Sequence, residues 1–494
     1  MSGHSLDACF RALMLPELLR LVCGFLDRKD CAAWLRTSRR AFASTTPIVW
    51  EDVDLKSVLL LIPEVQVTTE KPRPTLVIEL PPTVDLTRFE IYRSFVKAVS
   101  TAAPYIIKFP KGWPAVGVQA SPQALLPNLR NLIIHTFGSV DDPYVEWVPR
   151  FLTPVLKEFT MCSIPLNKSS GEDVYAIENA WINRETCIQL VDEISRTCRA
   201  IETLRIFSYE DRDINDEYAM ISDKIASLQN LRSLSFGGAC AGQALFQAFG
   251  RLPHLESLSL ASDDTQALPR GHDAVTLSGG SFPALQHLAL RDINPWIVQR
   301  VYDSPQLFRR LVSAVITYED LDYDGCEGYE LRSIYAMKCF SHDCSRLTDL
   351  TIITRRIGTR FSLFRPFLAI FKRMPLRRLR LCRVDLNPEI DDEDHIEETE
   401  MKENRPEITW EEFLATVPHL EDLQIGNRIV TQDLVAFAHL LPKLRLFAAH
   451  TIKVVKAEDA STRSSAAQPI VIRSRNYQLS DFGNKAKDIS EMAR

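Results

Sequence analysis

No apolar run in this 494-residue chain approaches the roughly 18 residues a membrane-spanning helix needs. The best stretch, Ala12 to Leu26, is broken by Pro16, Glu17 and Arg20. The N-terminus lacks the basic start and small-residue cleavage site of a secretory signal. Eleven cysteines, an odd number, contain no Cys-x-x-Cys, which excludes a regular disulfide framework and predicts buried free thiols in a reducing compartment. A net charge of −6 is too small to imply nucleic-acid or acidic-membrane binding by the chain as a whole. Gly237-Gly238 follows Phe236 without the Lys and Ser/Thr of a phosphate-binding loop. Cys339, His342 and Cys344 are the one close group of soft ligands, and no second pair with zinc spacing completes it. His272-Asp273 and His342-Asp343 are neighbours in sequence only, with no activated nucleophile beside them. The Asn167-Lys168-Ser169 sequon has meaning only in a secreted chain. The expectation is a non-catalytic protein, cytoplasmic and/or nuclear, with no cofactor, no metal, no nucleic acid and no membrane among its partners.

What is present begins at Leu15–Trp50. Leu15, Leu18, Leu19, Val22, Phe25 and Leu26 recur at helical spacing. Pro16 stands where a helix start tolerates it, because the first amide has no intrahelical partner to lose. Asp27 suits the cap of a second helix, on which Cys31, Trp34 and Leu35 share a side. A third helix from Ser38 is predicted to hold Phe42 inward and Arg39 and Arg40 outward, and to end before Pro47. Three short helices make a core too small to be comfortable alone, so a partner surface is expected.

The segment Leu-Pro-Glu-Leu-Leu, with Val22, Phe25-Leu26-Asp27, Lys29-Asp30, Ser38-Arg39-Arg40, Phe42 and the closing Trp50, resembles an F-box. It departs from that family at Thr37-Ser38 and Ala41-Phe42, where Val-Cys and Arg-Trp are usual, and in Pro16 directly preceding Glu17. The resemblance implies a helical hook that docks on the Skp-type adaptor of a cullin–RING ubiquitin ligase and leaves the transfer chemistry to other subunits. Leu15, Pro16, Leu19, Val22, Phe25, Leu26, Leu35 and Phe42 are the candidates for the adaptor face or its immediate support.

Beyond Trp50 the period changes. The phrase apolar-x-x-apolar-x-apolar recurs, as at Leu129/Leu132/Ile134, Leu156/Phe159/Met161, Ile201/Leu204/Ile206, Leu231/Leu234/Phe236, Leu255/Leu258/Leu260 and Leu285/Leu288/Leu290. It continues at Leu347/Leu350/Ile352, Leu376/Leu379/Leu381, Leu420/Leu423/Ile425 and, weakly, Leu444/Phe447/Ala449, with a degenerate copy expected around Val312/Val315. Trp50/Val53/Leu55, Leu76–Leu80 and Ile106–Phe109 read as poorer early copies. Most intervals are 24–30 residues, and a Pro often precedes the phrase. The pattern resembles leucine-rich repeats, in which each unit buries one edge of a short strand and needs neighbours to cover its apolar face. The family's Asn or Cys after the phrase is missing, so the array is irregular.

Residues 389–403 hold nine acids against one lysine, whereas Arg346 to Arg383 holds eleven Lys/Arg and one acid, Asp349. Strand alternation aims Arg378 and Arg380 away from the leucines. This basic strip suits an acidic or phosphorylated target; alternatively, the acidic insert folds over it, stays solvated, or competes with a target. Ser233, Ser235, Ser257, Ser259, His287, Ala289, Asp422 and Gln424 fall on the same side. Arg205, Phe207 and Arg291 are the more distinctive target-binding candidates there.

The expected architecture is α/β: a three-helix F-box at 10–50, connecting or early divergent repeats at 51–120, and an irregular leucine-rich-repeat-like solenoid at 121–455. An acidic insert occupies 387–406 and a flexible tail 456–494. The implied function is substrate recognition in an SCF-type ubiquitin ligase, with the adaptor, a cullin behind it and an unidentified protein target as partners. The alternative is a non-catalytic scaffold or interaction protein outside a ligase.

Overall fold

The computed structural model describes residues 15–70, 75–81, 83–101, 106–108, 124–136, 143–163, 181–208, 217–237, 243–261, 277–291, 307–318, 344–354, 361–362, 365–382, 384–385, 408–453 and 470–478. The acidic insert at 387–406 lies outside the described residues, as do Cys339, His342 and the His272-Asp273 pair. The chain divides into two compact units, residues 1–255 and 256–494.

The first unit opens with helices α1 (Pro16–Cys23), α2 (Arg28–Leu35) and α3 (Arg39–Val49). Asp27 and Ser38 cap α2 and α3 by accepting the amides of Asp30 and Ala41, at 2.8 and 3.0 Å. Leu19 and Ala41 form the centre of the small core, with Trp34 and Ile48 packed against them and the thiols of Cys23 and Cys31 buried nearby. Two details differ from the sequence reading. Ala41, not Phe42, is the inward residue: Ala41 packs with Leu19 in the core, whereas Phe42 lies one position round the helix and is exposed. Helix α3 also runs through Pro47 to Val49. The Thr46 hydroxyl donates to the Phe42 carbonyl and the Trp50 amide to the Thr46 carbonyl, so bonds on either side of Pro47 hold the turn that its missing N–H weakens.

After α3 the chain builds parallel strands β1 (Asp52–Asp54), β4 (Ala98–Ser100), β6 (Asn131–Thr136), β7 (Glu158–Ser163), β9 (Thr203–Ser208) and β10 (Ser233–Gly237), adjacent in that order. A separate side sheet is formed by β2 (Gln66–Glu70) and β3 (Thr75–Glu79), which precede β4 in the chain, and β5 (Ile106–Lys108), which follows it. The early copies at Leu76–Leu80 and Ile106–Phe109 therefore belong to this side sheet and not to the array. The repeat position is taken instead by β4, where Val96, Val99 and Thr101 are buried. Thr101 escapes an apolar pattern because its hydroxyl spends its polarity on the backbone, accepting the His135 amide at 2.6 Å.

The second unit is a run of parallel strands in chain order: β11 (Ser257–Ala261), β12 (His287–Arg291), β13 (Ser313–Tyr318), β14 (Asp349–Thr354), β16 (Arg378–Cys382), β18 (Asp422–Val430), β19 (Leu446–Lys453) and β20 (Val471–Gln478). A short pair, β15 (Phe361–Ser362) with β17 (Val384–Asp385), stands apart. The copy expected at Val312/Val315 is shifted by one residue: Leu311, Ala314 and Ile316 are the buried set. With a side-chain period of two, such a slip exchanges the faces, and the smaller Ala314 is accepted at the core position.

One arrangement repeats in both units. The residue after the first leucine of each phrase offers a carbonyl that accepts two successive amides of the next coil. In the first unit these carbonyls run Lys97, Arg130, Lys157, Glu202; in the second, Glu256, Gln286, Val312, Thr348, Arg377, Glu421. An i to i−3 turn precedes the phrase, as in Leu129 to Leu126 and Leu444 to Leu441, and the residue that opens it is itself buried. Proline in the second position of that turn pre-sets φ. Helices pack behind the strands. In α6 (Arg184–Thr197), Cys187, Leu190, Val191 and Ile194 are buried at helical spacing, and Asn183 caps it by accepting the Thr186 amide. Each unit is thus mixed α/β, with a long parallel sheet of the solenoid-like kind.

The segment read as a flexible tail contains β20, paired to β19 in regular register from Val471 to Gln478. Val471 and Ile472 are exposed and the strand is joined to β19 by main-chain pairing, so apolar periodicity does not announce it.

Candidate functional site

The opening helices divide their apolar residues between two faces. Leu19 is 1% exposed and belongs to the core, so of the two roles its spacing left open, adaptor face or immediate support, it takes the second. Helix α1 has one buried stripe, Leu19 and Cys23, one turn apart. Leu15, Leu18 and Leu21 are exposed, and Phe25, in the turn that closes the helix, is 85% exposed. Val22, Leu26 and Leu35 are half-buried at the margin, and the side chain of Pro16 lies outside the described residues. Phe42 is 37% exposed, its ring edge-on to Tyr92 at 6.3 Å. Tyr92, at the end of α5 (Thr87–Tyr92, counting Leu55–Leu59 as α4), also packs on Trp50 at 4.5 Å. Sequence reasoning missed Leu18 and Leu21 as surface residues and Tyr92 as a support. Leu15, Leu18, Leu21 and Phe25 thus form a row of exposed apolar side chains.

In the first unit, alternation along β9 places Arg205 and Phe207 opposite the core leucines, as expected. Arg205 is half-buried, with its guanidinium carbon 5.4 Å from the centre of the Phe207 ring. Phe207, however, is 0% exposed and not available to a target. A two-residue strand, β8 (Trp181–Ile182), pairs with the end of β9, and the Trp181 ring sits over Phe207 at 5.7 Å. Gly237 makes room for them: a Cβ there would lie 2.6 Å from Trp181 Cζ3 and 2.8 Å from Phe207 Cδ1.

Beside them, His135 and Cys162 are register partners on β6 and β7, with Nδ1 and Sγ 3.1 Å apart. Burial pushes the Cys162 thiol up, opposed in part by Arg205, and pushes the His135 imidazole down. Both groups are held neutral, the opposite of a thiolate–imidazolium nucleophile. The unfolded chain then takes up a proton near pH 6.5 that the folded chain resists, so the stability present above that pH declines as pH falls below it. Thermal melts from pH 7.5 to 5.5 should show a steeper fall in Tm for the natural chain than for His135→Gln; equal slopes would refute the assignment.

In the second unit, Arg378 and Arg380 face away from the buried Leu379 and Leu381, as expected, but not as a bare basic strip. The parallel register sets Arg378 between Asp349 on β14 and Asp422 on β18, and Arg380 between Thr351 and Gln424. Arg378 Nε lies 3.0 Å from Asp349 Oδ1, and Arg380 Nη2 lies 4.0 Å from Asp422 Oδ2. Burial raises the Asp422 carboxyl above its ordinary range, against the pull of Arg380 and Arg378. The face is a lattice of alternating sign, with these two acids supplied by neighbouring coils. Arg291 ends β12, half-buried. Upstream on the same face, His287 Nδ1 lies 2.7 Å from Ser313 Oγ.

Among the described residues no group of three or more His, Cys, Asp or Glu is placed to hold a metal ion. Among them too, no helix is long and apolar enough to cross a membrane, and seven cysteines are free thiols, six of them buried. No family model matches the chain, and no curated protein matches it. Solved structures that resemble it include a TLR13–ssRNA13 complex, at 13% identity and a TM-score of 0.21, covering 73% of this chain and 61% of that one. The chain thus spans about three fifths of that protein's length, and at this score the likeness bears on neither ligand nor activity.

Proposed function

We propose that this protein is the substrate-recognition subunit of an SCF-type ubiquitin ligase, with an F-box at its N-terminal end and irregular leucine-rich repeats behind it. The observation that carries the reading is the exposed apolar row of Leu15, Leu18, Leu21 and Phe25 on a three-helix module whose own core centres on two residues, Leu19 and Ala41. Such a module gains from a covering partner, and its motif resembles the hook that docks on a Skp-type adaptor. The array supplies the second half. Arg205, Arg291, Arg378 and Arg380 are the groups offered to a protein target, and an acidic or phosphorylated one would compete with Asp349 and Asp422 for the last two. The contribution of such a subunit is proximity: a target held near a conjugating enzyme meets it at a high effective concentration.

The test is the double substitution Leu18→Asp with Phe25→Asp, both on the exposed side and away from the Leu19 core. Binding of a purified Skp-type adaptor should fall at least tenfold while circular dichroism and Tm stay as in the natural chain. Unchanged adaptor affinity removes the reading. Retention of adaptor without cullin in a pull-down points to the scaffold alternative.

A further inference from the structure

The array of the second unit ends on β20, and among the described residues no strand pairs with the outer edge of β20. Strands β11, β12, β13, β14 and β16 have five or six residues; β18, β19 and β20 have nine, eight and eight. A long, regular, unpaired edge is what proteins ordinarily avoid, because its backbone groups are a template for another strand. The direction of those groups follows from the register. The Val471 amide donates to the Arg445 carbonyl, and in a parallel ladder alternate residues turn both backbone groups to the same neighbour. Ile472, Ser474, Asn476 and Gln478 therefore present their N–H and C=O groups outward.

Two further features separate this edge from an ordinary array end. Ile472 occupies the register position that Phe447, Leu423 and Leu379 fill in the preceding coils, where all three are buried. Ile472 is 45% exposed, and Val471, on the opposite side of the strand, is 56% exposed. Among the described residues no polar cap of the kind that terminates a repeat array covers the core row there. Arg473 follows, exposed, and Arg475 stands two positions further along.

We infer that the outer edge of β20 receives an extended segment of a partner protein as an added strand, with apolar residues over Ile472 alternating with acidic residues beside Arg473. Main-chain bonding supplies the affinity of such strand addition and the alternating side chains its specificity. Charge selects the occupant. Pairing of β20 with β20 of a second copy would bring two sets of arginines together, whereas a Val/Glu alternation places opposite charges across the new pair and an apolar side chain on Ile472. The inference is independent of the ligase reading, since it uses no residue of the helical module.

The probe is a fluorescein-labelled peptide, Thr-Val-Glu-Val-Glu-Val-Thr, titrated with the full chain by fluorescence polarisation, beside a version carrying Lys for Glu. The Glu peptide should bind at least tenfold more tightly than the Lys peptide, and Arg473→Glu should reverse the preference. Asn476→Pro removes an outward N–H that β19 does not use, a substitution edge strands tolerate. It should abolish binding with Tm unchanged. Equal binding of the two peptides, no binding of either, or full binding to Asn476→Pro at unchanged Tm overturns the proposal. Self-association by light scattering in place of peptide binding would overturn it in favour of a second copy.

Discussion

Leu19→Asp is expected to unfold the opening helices and leave the rest of the chain folded. Leu19 is 1% exposed and shares the centre of its small core with Ala41, Trp34 and Ile48. Loss of a buried leucine side chain costs about 2–5 kcal/mol, and a buried carboxylate without a partner adds to that. A unit of roughly 35 residues has only about 2–5 kcal/mol of stability to lose, at 0.05–0.15 kcal/mol per residue. The strands behind it are bonded through the carbonyls of Lys97, Arg130, Lys157 and Glu202, none of which depends on α1. Limited trypsin digestion should therefore open sites among Arg28, Arg36 and Arg39 while a fragment holding the array survives. Undiminished resistance at those arginines would show that the leucine is not central. Digestion of the whole chain at one rate would show that the module and the array fold as one.

The second large effect is expected at Gly237. In Gly237→Val the new Cβ would stand 2.6 Å from Trp181 Cζ3 and 2.9 Å from Phe207 Cβ, and the latter atom moves only with its strand. Overpacking of this kind costs about 1–3 kcal/mol, and each kcal/mol lowers Tm by roughly 2–4 °C in a unit of this size. Gly279→Val is the control, because nothing lies within 4 Å of a Cβ there. A thermal melt should separate the two variants clearly; equal melting temperatures would mean that Trp181 does not cover Phe207 in solution. Should Trp181 be displaced, Phe207 becomes accessible, so the same variant reports on whether that aromatic position has been closed to a target.

Much of the fold can be read from the chain text because a stacked coil must repeat what it buries. Leu204, Leu234, Leu258 and Leu288 mark successive strands, and each is buried. The buried residue three places before most phrases, Leu126 or Leu441 for example, is legible in the same text beside the proline that follows it. The partners of the candidate site were not legible. Asp349 and Asp422 reach Arg378 and Arg380 only through the register of separate coils. Trp181 reaches Phe207 through a two-residue strand that no periodicity reveals.

The order of apolar and polar residues alone determined that three short helices lie between Pro16 and Val49, with repeated strand units after them, because helical and strand periods impose different spacings on what is buried. It also determined that Arg378 and Arg380 face away from the leucines, since alternation in a strand is a local property of the backbone. Tertiary structure decided which leucines of α1 face water, which arginines meet an acid, and that Val471–Gln478 is a strand at all. Those outcomes depend on what the neighbouring coil or helix presents at a given distance. That neighbour is remote in sequence, so no local pattern carries the information.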